Sequence, residues 1–215
     1  MTEPRREFER SLESIEAKVI ELFAMMAEDL PKATEALLSG SPEILAQLAE
    51  RESAIDALYP QIEELAAREI LLQAPVASDL RYLLTVLRVV PEIERSHDLI
   101  MSIASRAGHL VAQDLPGRVQ GLVRLMGDRA TSMWRRATDA WYQRDREAAG
   151  RLVRSDEEID DLYSSLVAEL ASGGVRIPVA MEMTLAAHSY ERLAAHAVNI
   201  CRRVTYLAGT GPSTP

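Results

Sequence analysis

The sequence predicts an all-α protein made of two tandem three-helix bundles, with six long antiparallel helices related by pseudo-twofold symmetry. Three observations lead to this prediction. The strong helix formers Ala, Leu, Glu, Arg and Met dominate the chain, its apolar residues recur every three or four positions, and a block of the first half returns in the second. No segment shows the alternation of a convincing strand.

The first half contains three helical patterns. The first runs from about residue 5 to 38 and ends at a Ser-Gly-Ser-Pro sequence, which combines a helix stop with an N-terminal start. The second runs from about 42 to 73, and the third follows Ala74-Pro75 and ends near Gly108. Each pattern contains an internal proline that predicts a local distortion: Pro31, Pro60 and Pro91.

The second half repeats this arrangement after the boundary Asp114-Leu115-Pro116-Gly117. A fourth pattern runs from Val119 to Trp141, a fifth from about 145 to 171, and a sixth from about 178 to 204. Ser172-Gly173-Gly174 separates the last two. Short connections between long helices predict antiparallel neighbours.

An internal repeat sets the domain organisation. The segment from Glu52 to Tyr59 aligns with that from Asp156 to Tyr163 at an offset of 104 residues, and Glu94-Arg95 aligns with Glu191-Arg192 at an offset of 97. This is the pattern of a duplicated three-helix unit. We therefore divide the chain into a first repeat over 1–112, a second over 113–208 and a flexible tail over 209–215.

Composition restricts the class of partner and the compartment. With 24 Lys and Arg against 33 Asp and Glu, the net charge of −9 has the wrong sign for nucleic acid or anionic lipid. The charged N-terminus lacks a secretory signal, and no apolar run approaches the ~18 residues that span a bilayer. We expect a soluble cytoplasmic protein without membrane insertion, whose single cysteine, Cys201, is a small core residue.

Acidic residues spaced four apart form the chain's main candidate site. The pairs are Glu52 with Asp56, Glu94 with Asp98, and Asp156 with Asp160, while Glu191 has Ala195 in the fourth position. This spacing puts both carboxylates of a pair on one helix face. Glu52 and Asp156 also fall on the apolar stripes of their helices, which predicts that they face a neighbouring helix.

Carboxylates at a helix interface need a positive partner, because unpaired burial would cost several kcal/mol. One possible partner is a divalent or ferric cation, which takes oxygen ligands from facing helices. Another is arginine, with Arg81, Arg88 and Arg202 as candidates. A solvated polar face is the third alternative.

Two further segments resemble a known family. Pro75-Val-Ala-Ser-Asp-Leu-Arg81, followed by Glu92-Ile-Glu-Arg-Ser-His-Asp98, resembles the first signature of PhoU-type phosphate-signalling regulators. Tyr190-Glu-Arg-Leu-Ala-Ala-His-Ala-Val-Asn-Ile200 resembles the second. The resemblance covers essentially the whole chain, including both repeats.

The resemblance implies a cytoplasmic, often dimeric regulator that is not an enzyme. Members of this family couple the phosphate ABC transporter, through its ATPase subunit, to a sensor histidine kinase and repress the phosphate-starvation response. Some bind iron or zinc clusters through Glu/Asp-x-x-x-Asp motifs. Carried over to this chain, the metal ligands would be Glu52, Asp56, Glu94, Asp98, Asp156, Asp160 and Glu191.

The chain departs from the family pattern at the second cluster. Ala195 replaces the usual aspartate, which removes one ligand, and His196 could supply a nitrogen instead. His97 stands where a small residue is common, and the second half lacks a clear counterpart of Asp79-Leu80-Arg81.

Other functions find less support in the sequence. A carboxylate di-iron enzyme would need two Glu-x-x-His pairs, and only Glu94-x-x-His97 is present. A plain helical scaffold with solvated acids stays open as an alternative. Trp134 and Trp141 share a helix face and are expected to be packing or dimer contacts rather than a platform for bases.

Overall fold

A computed structural model describes residues 3–109 and 115–209, and over these residues it contains six α-helices, a short 3-10 helix and no strand. The α-helices are α1 (Glu3–Ser39), α2 (Pro42–Gln73), α3 (Ala77–Ser105), α4 (Gly117–Gln143), α5 (Ala148–Ala171) and α6 (Ile177–Leu207), and the 3-10 helix spans Arg106–His109. The all-α prediction is confirmed, and the expected bounds lie within a few residues of those observed.

The helix ends follow local sequence chemistry. Gly40 ends α1 with a φ of 70°, a backbone conformation that side chains with a Cβ rarely adopt. Ser41 then caps α2, because its Oγ accepts a hydrogen bond from the N–H of Ile44, and Pro42 opens the helix. The internal prolines do not end their helices, since α1, α2 and α3 each continue through one.

The helices pack as two bundles that meet through equivalent elements. α1, α2 and α3 contact one another, as do α4, α5 and α6, and the bundles join where α1 meets α4 and α3 meets α6. α3 and α6 run antiparallel, because Arg106 pairs with Glu182 at one end and Arg88 lies over the Tyr206 ring near the other. The two main interbundle contacts thus each join a helix to its own repeat copy, as expected for a pseudo-twofold relation.

The division of the chain at 112/113 falls in residues 110–114, outside the described residues. Most of the expected tail, residues 210–215, also lies outside them. The domain boundaries therefore stay a prediction.

The core extends across both bundles. Trp134, Trp141, Tyr190 and Phe23 are fully buried, and Trp134 Nε1 donates to the Leu193 carbonyl oxygen at 3.0 Å. Both tryptophans are therefore packing residues, the first of the two roles expected. Cys201 is buried as expected, and burial raises the pKa of its thiol to about 12.

Two contacts determine how closely the bundles approach. Gly127 of α4 crosses α1 so closely that a Cβ added to it would lie 2.4 Å from Thr34 Oγ1. Arg144, which follows α4, pairs with Glu16 of α1 at 2.9 Å and lies over the rings of Tyr82 and Trp141.

Within the described ranges, no helix combines the length and the apolarity needed to cross a bilayer.

Candidate functional site

The structure brings three of the predicted acids of the first bundle together between α2 and α3. Burial raises the pKa of Glu94, and the neighbouring carboxylates of Asp98, Asp56 and Glu63 raise it further. We call Asp56, Glu94 and Asp98 the first acidic cluster. Glu52 lies one turn before Asp56 on the same helix. Glu63 was not predicted as a site residue, although it follows Asp56 by seven residues on the same face of α2.

The equivalent acids of the second bundle meet between α5 and α6. Burial raises the pKa of Asp156, and Asp160 and Glu191 add to this rise, while Arg202 opposes it. The pKa of Asp160 is raised by burial and then by Glu191. We call Asp156, Asp160 and Glu191 the second acidic cluster. Both clusters thus carry negative charge that local cations do not fully compensate.

Glu52 and Asp156 lie at the edges of the helix interfaces, and Asp156 faces α6, where Glu191 and Arg202 are its charged neighbours. Both are only partly buried, while Ile55 and Ile159, three residues further on, are fully buried. Along an α-helix, two side chains three residues apart point in directions that differ by about 300°, which is about 60° short of a full turn. Each acid therefore points about 60° away from the buried isoleucine, and its carboxylate reaches solvent.

The arginine alternative is met only in part. Of the three candidates, Arg202 lies near Asp156. Arg81 instead lies beside Gly209, and the Arg88 guanidinium carbon is 5.9 Å from the centre of the Tyr206 ring. The last two arginines therefore lie at the C-terminal end of α6 rather than beside the acids.

The donor type suits a hard cation, but the donors do not converge. A divalent or ferric ion would neutralise carboxylates that lie close together. Among the residues that the structure describes, however, no three Asp, Glu, His or Cys side chains are arranged to hold a metal ion. The clusters fit a metal in charge and chemistry, and a bound ion would require their side chains to change rotamer.

Two histidines of α6 contact nearby side chains. His196, proposed as a replacement ligand, contacts Ser96 of α3 through Nδ1 at 2.7 Å, and burial lowers its pKa. His188, which drew no functional interpretation, contacts Glu191 Oε2 at 2.9 Å. Its position three residues before Glu191 on α6 is the sequence signal that could have identified it.

The most deeply buried acid is one that the sequence analysis did not single out. Asp29 of α1 is 0% exposed, and its carboxylate lies 2.7 Å from Arg51 Nε and 3.6 Å from His97 Nε2. Asp29 follows Met26 by three residues on the apolar stripe of α1, and this phase could have indicated its burial. His97 therefore faces α1, while Glu94 lies at the surface, so this pair does not present two ligands to one metal.

Comparison with known proteins decides the family. The model of the PhoU domain matches residues 19–107 and 123–204. The chain belongs to the PhoU family. The two matched segments coincide with the two bundles, so the resemblance seen in the sequence is confirmed in both repeats.

Related sequences and solved structures agree with this family. The chain is 30% identical to the phosphate-specific transport system accessory protein PhoU homolog of Zymomonas mobilis, over 97% of this chain and 89% of the relative. It is 32% identical to the protein of the same name from Synechocystis, over 94% and 92%. The crystal structure of PhoU from Pseudomonas aeruginosa matches with a TM-score of 0.85 and 26% identity, covering 93% of this chain and 98% of that one. The phosphate transport system regulatory protein PhoU from Streptococcus pneumoniae matches with a TM-score of 0.83 and 28% identity, over 93% and 96%.

Proposed function

We propose that this protein is an accessory regulator of phosphate-specific transport that acts through protein contacts rather than as an enzyme. The observation that carries this proposal is the family match in both bundles. It is supported by full-length relatives named as accessory proteins of phosphate-specific transport and by a solved structure named as a regulatory protein of phosphate transport. A di-iron enzyme is disfavoured, because Glu94 and the buried His97 face different surroundings.

In finer terms, we propose a cytoplasmic homodimer that couples the ATPase subunit of a phosphate ABC transporter to a sensor histidine kinase. Its effect would be negative, so that starvation genes stay silent while phosphate is ample. Long helices exposed on both bundles offer surface for such contacts.

Deletion of the gene tests this role. In ample phosphate, the deletion strain should express its phosphate-starvation genes, and the wild-type gene supplied in trans should silence them again. Normal repression in the deletion strain would contradict the proposal. Crosslinking to the transporter ATPase subunit and to the kinase, in ample and in scarce phosphate, would then identify the contacted partner.

We also propose that the two acidic clusters bind iron or zinc. The raised pKa values of Glu94, Asp156 and Asp160 favour this role, because neighbouring carboxylates contribute to each rise and a cation would neutralise their negative charge. Metal analysis after equilibration with Fe or Zn salts tests it. Asp98→Asn should reduce the bound metal, while Glu13→Gln, an exposed acid of α1, should not. Equal metal content in both variants would contradict the proposal.

A further inference from the structure

An apolar groove runs between the end of α5 and the start of α6. It has a volume of about 620 Å³, and its walls include Val167 and Leu170 of α5. On the α6 side, Ile177, Met181 and Leu185 follow one another at four-residue spacing and are 76%, 61% and 46% exposed. Such large side chains are usually buried, so a row of them along one groove marks a contact surface.

The groove continues into the second acidic cluster. Asp160 precedes the groove residue Val167 by seven residues, and Glu191 follows the groove residue Thr184 by seven. Seven residues are nearly two turns of a helix, so each acid lies on the same face as its groove residue and about 10 Å further along. Because α5 and α6 pack against each other, the two acids border the same end of the groove.

Charge and length define the chemistry of a matching occupant. The acidic end contains the carboxylates of Asp160, Asp156 and Glu191. Two basic side chains lie beside them: Arg202 is near Asp156, and His188 contacts Glu191. From Ile177 to Glu191 the surface extends for about 21 Å, the length of a helix of about 14 residues. Apolar and acidic contacts along one line suit a helix that presents apolar anchors followed by a cation.

We propose that this groove binds an amphipathic helix of a partner protein. The apolar face of that helix fills the space beside Met181. In the metal-free protein, a Lys or Arg two turns further along pairs with Asp160 and Glu191, and this cation and a metal ion compete for the second acidic cluster. This inference relies on the proposed accessory role only for the existence of a partner, and it specifies where and how that partner binds.

A designed peptide tests the groove directly. The probe is a fluorescent 16-residue helical peptide with Leu at four-residue spacing in its first half and two Arg in its second, and its binding is followed by anisotropy. Met181→Glu should weaken binding about tenfold or more, because it places a charge among the apolar anchors. Asp160→Asn should weaken it a few-fold and reduce its salt dependence.

The matched control is Leu72→Glu, which changes an apolar side chain of similar exposure, 66%, at the opposite end of the molecule. This variant should bind the peptide like the wild type, and a peptide with Glu in place of Arg should bind the wild type more weakly. Equal binding by the Met181→Glu and wild-type proteins would overturn the inference.

Sedimentation of the Met181→Glu variant tests the competing occupant, a second copy of the chain. Conversion of a wild-type dimer into a monomer would overturn the inference in favour of self-association, and an unchanged oligomeric state would support it. Because peptide binding is measured on purified protein, its failure leaves the gene-deletion result intact. Normal repression in the deletion strain would contradict the accessory role without affecting the groove.

Discussion

Gly127 lies where α4 crosses α1 too closely to leave room for a Cβ atom. An added Cβ would lie 2.4 Å from Thr34 Oγ1 and 2.6 Å from its Cγ2, well inside van der Waals contact. The Thr34 side chain cannot move freely, because its hydroxyl shares a buried hydrogen bond of 2.8 Å with the Tyr190 hydroxyl. The substitution Gly127→Ala therefore forces α4 away from α1 or breaks the contact that links α1 to α6.

The expected loss of stability follows from opposing terms. Alanine is favoured over glycine inside a helix by about 1 kcal/mol. Overpacking of a core costs about 1–3 kcal/mol, and a buried hydroxyl left without its partner costs a further 1–3 kcal/mol. The unfavourable terms exceed the gain in helix propensity, so we expect Gly127→Ala to lower the free energy of unfolding by about 1–5 kcal/mol, and the Tm by roughly 2–4 °C for each kcal/mol.

Urea unfolding of Gly127→Ala beside Gly121→Ala measures this effect. Gly121 lies on the same helix, is exposed, and has nothing within 4 Å of an added Cβ, so its replacement should stabilise the protein by up to about 1 kcal/mol. Adding Thr34→Ala to each background forms a double-mutant cycle, which should show coupling between positions 34 and 127. If Gly127→Ala were as stable as Gly121→Ala, the close crossing described here would be wrong.

Three further predictions follow from the ionic contacts. Asp29→Asn should lower the free energy of unfolding, measured in urea, by about 1–3 kcal/mol, because it removes the buried carboxylate that pairs with Arg51 and leaves the exposed Glu28. As the control, Glu28→Gln should change the free energy of unfolding by less than about 0.5 kcal/mol. Arg144→Ala should destabilise the protein, because it removes the contacts of this side chain with α1 and α3. Arg144→Gly should recover about 1 kcal/mol of that loss, since glycine adopts the observed φ of 54° without strain. Equal stability of the two variants would contradict the strain argument. The raised pKa of Asp160 means that its ionised form destabilises the fold. This loss of stability is complete above the pKa of Asp160 in the folded protein, and it disappears as the pH falls through 3.8, the ordinary pKa of an aspartate. Asp160→Asn should therefore raise the Tm near pH 7 and lose this advantage near pH 4, and a pH-independent difference would contradict the assignment.

The sites were predicted less completely than the fold. The periodic pattern placed the acids of each pair on a common helix face, and in the structure Glu191 of α6 contributes to the raised pKa of Asp160 of α5. The periodic pattern did not show whether each acid is buried in the core or exposed to solvent. Glu52 was expected to face a neighbouring helix and is only partly buried, while Asp29 was not singled out and is fully buried. The phase of a residue on its own helix gives a direction, and only the packed neighbours decide whether that direction is covered.

By itself, the sequence determined the helices, the duplication and the family, because helix periodicity, caps and repeats are local properties of the chain. Tertiary structure decided which of two similar glycines is indispensable for packing, since Gly121 meets open space and Gly127 meets Thr34. It also decided that His97 faces Asp29 rather than the acids beside it in the chain. These outcomes depend on residues far apart in sequence, and contacts of that kind exist only once the bundles have packed.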